Sequence, residues 1–308
     1  MDKVLVICGP TATGKTKLAL YLAEKLNGEV ISADSRQVYK YFDIVTGKDL
    51  PSRFKFEKDH FSDGEVSVWG YDIVSPSEDF SAKLYSDYAR EKISQILSRG
   101  KLPIIEGGTG FYIDAALKNL ANISVPRNEK LRNKYDGLSA EKLFRIYMNV
   151  DPIKAITLNE SDRKNSRRMT RLLEIADFEL RGYRLEKSNK KELFNTLWVG
   201  LNYSTRAELN EKIEKRVDDR LGFGLEKEVS FLKEKGYFKK ASETTPGYQY
   251  WDNPEKWKLA ERNYAKRQIT WFKRYKNIKW FDPSETESQI KVEELVSKWY
   301  SNSDDQQN

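Results

Sequence analysis

Val4-Leu5-Val6-Ile7-Cys8, followed at once by Gly9-Pro10-Thr11-Ala12-Thr13-Gly14-Lys15-Thr16, is the stretch that decides the fold. The first five residues are apolar without a break, as in a strand covered on both faces of a parallel sheet. The next eight fit G-x-x-x-x-G-K-S/T in full, the pattern of a phosphate-binding loop between a strand and a helix. Glycines let the backbone curl so that successive N–H groups turn inward on phosphate oxygens. The helix that follows adds the partial positive charge of its N-terminus. In this pattern Lys15 supplies a point charge to the phosphates and Thr16 a hydroxyl for Mg²⁺. All eight residues, Gly9 to Thr16, are therefore candidates for binding a phosphate chain, with Thr16 the candidate metal ligand. The pattern does not say whether that chain belongs to ATP.

Outward from the loop, Leu18, Leu22 and Leu26 recur every fourth residue, which predicts a helix from about Lys15 to Leu26 that ends at Asn27-Gly28. Glu29–Ala33 reads as a second strand, Tyr85–Arg99 as an amphipathic helix and Pro103–Glu106 as a third buried strand. Alternating strands and helices imply an α/β fold: a P-loop NTPase-like parallel sheet with helices on both faces. From Lys118 to Asn195 the strand pattern lapses into charged, helix-favouring sequence, with Leu143, Phe144, Tyr147 and Met148 on one helical face. Thr196–Leu201 restores a strand, and Trp280-Phe281 reads as the end of a last one. The expected organisation is a core at 1–117, a helical insertion domain at 118–195, the rest of the core with C-terminal helices at 196–300, and a disordered polar tail at 301–308.

In 308 residues, 39% are hydrophobic, so a sizeable core can be buried. Lys and Arg outnumber Asp and Glu by 54 to 47, a net charge of +7 that is compatible with a polyanionic partner. Cys8 is the only cysteine and His60 the only histidine, which excludes a disulfide framework, a thiolate metal cluster and a His-rich zinc site. His60 reads as a solvated or hydrogen-bonded loop residue. No signal peptide is apparent, and no apolar run approaches the roughly 20 residues of a membrane span, so a soluble cytoplasmic monomer is expected.

Asp34-Ser35 stands at the end of the second strand, the edge of an α/β sheet where ligands bind. By itself that carboxylate could hold Mg²⁺, accept a proton or cap the next helix. The surrounding string is more specific. Ile31-Ser-Ala-Asp34-Ser35-Arg36-Gln37-Val38-Tyr39, Asp43-Ile-Val-Thr-Gly47-Lys48 and Gly107-Gly-Thr109-Gly-Phe-Tyr112 resemble the tRNA dimethylallyltransferases, whose N-terminal half reads GPTASGKT, SADSxQVY, DIGTAK and GGTGLY. In the C-terminal half, Arg216-Val-Asp218, Gly224-Leu225, Glu228-Val229, Pro246-Gly247-Tyr248 and Tyr264–Arg274 are similar to further family motifs in the same order.

The resemblance implies transfer of a dimethylallyl group from dimethylallyl diphosphate to the exocyclic amine of the tRNA adenine just 3′ of the anticodon. The partners implied are the anticodon stem-loop and the prenyl diphosphate, with Mg²⁺ as cofactor. Asp34 would take the amine proton. Lys15, Thr16 and Arg216 would stabilise the departing diphosphate, and Thr109 would line the passage between the substrates. For tRNA contact the resemblance assigns Asp34, Ser35, Arg36, Gln37 and Thr109 around the sheet edge, and Arg167, Arg168 and Arg171 in the insertion. It adds Gly247, Tyr248, Lys266, Arg267, Gln268, Trp271 and Lys273 near the end. As a helix, the insertion segment would put Lys164, Arg168 and Arg171 on one face and Met169, Leu172 and Leu173 on another. Trp257, Ala260, Tyr264 and Trp271 keep helical spacing toward a core.

Several positions depart from the family pattern. Gly47-Lys48 replaces the usual Ala-Lys, Val68–Asp72 lacks paired histidines, and Gln249 follows the Gly-Tyr pair. A P-loop small-molecule kinase, an isopentenyltransferase of free adenylate and a non-catalytic RNA-binding module share parts of the same pattern. The helical insertion and basic helices count against the first two, and intact Lys15, Thr16, Asp34 and Arg216 against the third.

Overall fold

The computed structural model describes residues 1–184 and 189–302. The chain divides into two compact units: residues 1–117 with 192 onward, and Lys118–Lys191.

The first unit opens with β1 (Lys3–Cys8), α1 (Lys15–Lys25) and β2 (Gly28–Ser32). A short meander β3 (Lys55–Glu57), β4 (His60–Ser62) and β5 (Ser67–Trp69) precedes α2 (Ala82–Ser98), β6 (Leu102–Gly107) and α3 (Gly110–Leu117). The second unit runs through β7 (Lys118–Asn119), α4 (Glu129–Tyr135), α5 (Ala140–Val150), α6 (Pro152–Ile156), α7 (Glu160–Arg163), α8 (Ser166–Leu180) and β8 (Asn189–Glu192). The chain then returns with β9 (Asn195–Leu201), α9 (Arg206–Gly222), α10 (Leu225–Glu234), α11 (Phe238–Thr244), α12 (Pro246–Gln249), α13 (Pro254–Phe272), β10 (Lys279–Phe281) and α14 (Ser288–Ser301).

The main sheet has the order β10-β9-β1-β6-β2-β5-β4-β3. From β10 to β5 every neighbouring pair is parallel; β4 and β3 extend the edge antiparallel. That extension is the one departure from a purely parallel sheet, and its three-residue strands are too short for an alternation to show in sequence. His60 belongs to it, its ring stacked on Trp69 with centroids 4.2 Å apart, and not to a loop.

The unbroken apolar run of β1 is needed because strand residues alternate between two separate cores. Val4, Val6 and Cys8 join Ile31, Ile105 and Trp198 on one face of the sheet. Leu5 and Ile7 join Val30, Ile104 and Val199 on the other, under α1 and α14. Register makes the layers: Leu5 pairs with Ile104, Ile104 with Val30, and Val30 with Val68. A one-residue slip would exchange the two cores.

Within 118–191, Leu143, Tyr147, Ala155, Met169, Leu173 and Ala176 bury a separate small core. The sequence reading had no strand here, yet β7 and β8 form a two-stranded ribbon. Residues 192–195 group with the sheet and not with the insertion. Of the tail read at 301–308, Ser301 closes α14 and Asn302 caps it; the remainder lies outside the described residues. Among the described residues no helix is long and apolar enough to cross a membrane.

One buried carboxylate braces the sheet. Glu29 on β2 accepts from Trp69 Nε1 at 2.8 Å and pairs with Arg99 at 2.8 Å and Lys101 at 3.2 Å. Burial pushes its carboxyl up, but the bonds from Arg99, Trp69 and Lys101 outweigh that and hold it below the usual range. A depressed folded pKa means stabilisation above the unfolded value that is lost as pH falls through the folded one. Glu29→Gln should therefore cost about 1.5–3 kcal/mol at neutral pH. Urea titrations should find the difference shrinking once the pH drops below about 4.3, where the unfolded carboxyl protonates.

Candidate active site

The strands β9, β1, β6 and β2 run parallel, so their carboxyl ends share one edge, and the loops after them meet there. Gly9 leaves β1 at φ +136°, and a Cβ on it would lie 2.2 Å from the carbonyl oxygen of Leu201 on β9. Only glycine lets the loop turn this close to its neighbour. Thr13 Oγ1 and Lys15 Nζ both donate to Pro10 O, at 2.9 and 2.8 Å, which closes the loop on itself, and Gly14 in the left-handed region starts α1. Lys15 is buried, which pushes its ammonium pKa down, with Glu106 opposing the shift. Thr16 Oγ1 donates to Glu106 Oε1 at 3.2 Å. Burial raises the Glu106 carboxyl against the pull of Lys15.

Beyond β2, Asp34 Oδ1 accepts from its own chain at Arg36 N, 2.8 Å away, the sole hydrogen bond of its carboxylate among the described residues. Thr109 locks the turn after β6 against this segment: its N–H donates to Ala33 O at 3.1 Å, and its Oγ1 accepts from Ser35 N at 3.2 Å. A Cβ on Gly107 would lie 2.4 Å from Ala33 O, so the two strand ends meet only because that residue is glycine. The Arg36 guanidinium sits 4.1 Å from the centroid of the Tyr264 ring on α13.

The amide of Gln268 joins these pieces. Its Oε1 accepts from Thr11 N at 2.9 Å and its Nε2 donates to Gly108 O at 3.1 Å. From α9, Arg216 Nη1 donates to Thr11 Oγ1 at 2.7 Å while Nη2 pairs with Asp49 at 2.8 Å. Lys15, Thr16, Asp34, Glu106, Arg216 and Tyr264 thus share the walls of one small cavity of about 50 Å³. Cations able to hold phosphate and a carboxylate able to take a proton face the same space.

The fit of a metal can be judged from the donors. Among the described residues no group of three or more His, Cys, Asp or Glu forms a cage. The Thr16 hydroxyl and the Glu106 carboxylate are hard oxygen donors side by side, of the kind Mg²⁺ takes together with substrate phosphates.

The residues assigned to tRNA contact separate into two groups. Lys266 and Arg267 are exposed on α13, Lys273 at its C-cap, and Arg167 on α8. Arg36 lines the cavity, and Ser35 beside it is tied by its N–H to Thr109 Oγ1. The others carry bonds or packing within the protein, with Asp34 at the cavity and Arg168 still exposed. Tyr248 is fully buried with its hydroxyl on Glu228, and Gly247 is buried where a Cβ would strike Val45 and the Trp257 indole, so both pack the core and do not face a partner. Gln37 is buried, its amide taken by Ser32, Thr46 and Gly47, and Gln268 is equally committed. Arg171 is bound to Glu174, a buried carboxylate that requires cations, and to the carbonyls of Asn122 and Val125; Arg168 pairs with Asp162 but is itself exposed. Lys164 caps α7, ahead of the helix that carries Arg168, so the expected three-residue basic face does not form. Trp271 packs edge-on to Phe111 with Arg274 3.7 Å above its ring.

Sequence reading passed over Glu106, Arg220, Glu261 and Tyr264 as cavity walls. Glu106 carried a legible signal, an acidic residue closing a buried strand. Tyr264 was read as core-facing, but the buried stripe of α13 is Trp257, Glu261, Ala265, Gln268 and Phe272.

Known proteins resemble this chain over most of its length. A family model described as IPP transferase matches residues 37–275. The tRNA dimethylallyltransferase of Geobacillus kaustophilus is 37% identical, over 96% of this chain and 95% of that protein. Its counterpart in Acetivibrio thermocellus is 35% identical over 95% of each. Among solved structures, the full-length tRNA isopentenylpyrophosphate transferase of Bacillus halodurans superposes with a TM-score of 0.68 at 31% identity, covering 97% of this chain and 96% of that one. A eukaryotic dimethylallyltransferase acting on tRNA gives a TM-score of 0.77 at 25% identity, covering 98% of this chain and 80% of that one. With a phosphate loop, a strand-end aspartate and a family match spanning most of its length, the chain belongs to the IPP transferase family.

Proposed function

We propose that this chain transfers a dimethylallyl group from dimethylallyl diphosphate to the exocyclic N6 amine of the tRNA adenine immediately 3′ of the anticodon, releasing diphosphate. The observation that carries this reading is the shared cavity, in which Lys15, Thr16 and Arg216 face Asp34. A kinase needs its phosphate loop to present a phosphoryl group for transfer. Here a loop of the same kind serves as the holder of a leaving group.

The adenine amine is a weak nucleophile because its lone pair is delocalised into the ring. It must leave the base stack for its N6 to reach Asp34, at a cost lowered by the single-stranded anticodon loop. As the N6–C1 bond forms, the allylic C1–O bond breaks and its electron pair goes to the diphosphate. Loop N–H groups, Lys15 and Arg216 stabilise that developing charge. The N6 proton goes to Asp34, whose Oδ1 is steadied by Arg36 N. Thr109, fixed by Ser35 N and Ala33 O, would line the approach to Asp34. Mg²⁺, held by Thr16 and Glu106, would add charge neutralisation at the diphosphate. Exposed Lys266, Arg267, Lys273 and Arg167 would meet the tRNA backbone, a sequence-independent and salt-sensitive contribution.

Two outcomes test this reading. Purified chain with Mg²⁺, labelled dimethylallyl diphosphate and unmodified tRNA, with free AMP alongside, should put label into tRNA alone. Asp34→Ala should lower kcat about 10²–10⁴-fold; ATP turnover without prenyl transfer would overturn the assignment. The bracing amide gives a second check. Gln268→Ala leaves Thr11 N and Gly108 O without their partner and should cost about 1–3 kcal/mol in denaturant unfolding. Gly108→Ala should act in the same direction, since its Cβ would fall 1.9 Å from Gln268 Nε2.

A further inference from the structure

Arg220 follows Arg216 by one helical turn on α9, so both side chains leave the same face. Its residue is only 6% exposed and lines the cavity that holds Lys15 and Asp34. Nη1 donates to Val45 O at 2.7 Å. Nε and Nη2 are buried with no hydrogen-bond partner among the described residues, and Nη2 meets Asp49 Oδ2 only as an ion pair at 3.5 Å. Buried N–H groups of a guanidinium are costly to leave unmatched. Burial lowers the Arg220 pKa to about 10, and the neighbouring Arg216 charge adds to the shift. Among the described residues a single carboxylate, Asp49, is ion-paired with both guanidiniums, and its side chain is 62% exposed.

The backbone is shaped around this pair. Gly47 sits at φ +70°, and a Cβ there would lie 1.8 Å from Arg220 Nη2 and 2.1 Å from Arg216 Nη2. The glycine turn is therefore a condition for two guanidiniums to stand side by side at the cavity wall. Two cations side by side near a phosphate loop, with unmatched donors on Arg220, match an anion with several oxygens and more than one negative charge.

We propose that Arg220 is a second anion-binding guanidinium of this site, which with Arg216 clamps the diphosphate of the prenyl donor in the place Asp49 occupies when no donor is bound. This rests on the reading that a prenyl diphosphate is the donor. Arg220 would then bear on donor binding and leave tRNA binding unaffected.

Titration calorimetry of the full chain with inorganic diphosphate and Mg²⁺ tests the clamp without turnover. Arg220→Met should weaken diphosphate binding about tenfold to a hundredfold. Arg220→Lys should recover part of the loss, and Asp49→Asn, by removing the competing carboxylate, should bind diphosphate more tightly than the unaltered chain. In steady-state assays KM for dimethylallyl diphosphate should rise with Arg220→Met while KM for tRNA stays put. A folded Arg220→Met protein that binds diphosphate like the unaltered chain overturns the proposal. If Arg220→Met does not fold, the other two variants decide: Asp49→Asn binding no tighter, or Arg220→Lys binding no weaker, overturns it. An unaltered chain that binds diphosphate in this way but prenylates no tRNA would sink the functional reading and leave the clamp standing.

Discussion

Charge buried at the carboxyl edge of a parallel sheet must find opposite charge, and the rest of this site follows from that requirement. Lys15 and Glu106 are both buried where β1 and β6 end. Neither is stable there alone, because desolvation pushes the lysine down and the carboxyl up. The same logic extends outward to Arg216, Arg220 and Asp49. Such an edge is suited to a multiply charged ligand, since its cations are already gathered there and can exchange internal partners for ligand oxygens.

Several motifs that look like binding determinants hold this edge together instead. Glu228 accepts from Ile44 N at 2.9 Å and from the hydroxyl of Tyr248, linking three separate sequence motifs in one network. Lys48 reaches Tyr39 O at 2.7 Å, Asp43 at 2.7 Å and Asp72, and Gln37 ties the turn after β2 to Gly47. Together they fix residues 37–48, the segment that carries Gly47 and lies under the arginine pair. Gln268 does the same for the phosphate loop from the opposite side. These polar groups are fully bonded inside the protein, which is why a motif match could not distinguish holding a loop from touching a partner.

Legibility in the sequence followed the range of the forces. The buried strands, the phosphate loop and the helix after it are local events, set by runs of apolar side chains, by glycine at positive φ and by helical spacing. The insertion was visible as a lapse in strand pattern. The antiparallel edge and the ribbon of β7 with β8 were not, because strands of two to four residues leave too few positions for a period to register. Tyr264 was misplaced for a related reason. Aromatic spacing pointed inward, yet the buried face of α13 is turned by about a residue and carries Glu261 and Gln268 inside.

By itself the sequence determined a phosphate-binding loop on a parallel α/β sheet, an aspartate at a strand end and, by resemblance, the family. Those depend on residue identity and short-range order, which survive in one dimension. Only the tertiary structure decided which polar residues face the cavity and which are tied up within the protein. Arg171 and Arg168 answer to buried or half-buried carboxylates and Tyr248 to Glu228, while Arg220 holds Val45 O through Nη1 and leaves Nε and Nη2 without a hydrogen bond among the described residues. Hydrogen-bond satisfaction depends on neighbours that are distant in sequence: Gln268 and Thr11 meet across 257 positions. The phosphate loop was legible from the start, but the paired arginines beside it became visible only when the fold placed Gly47 beneath them.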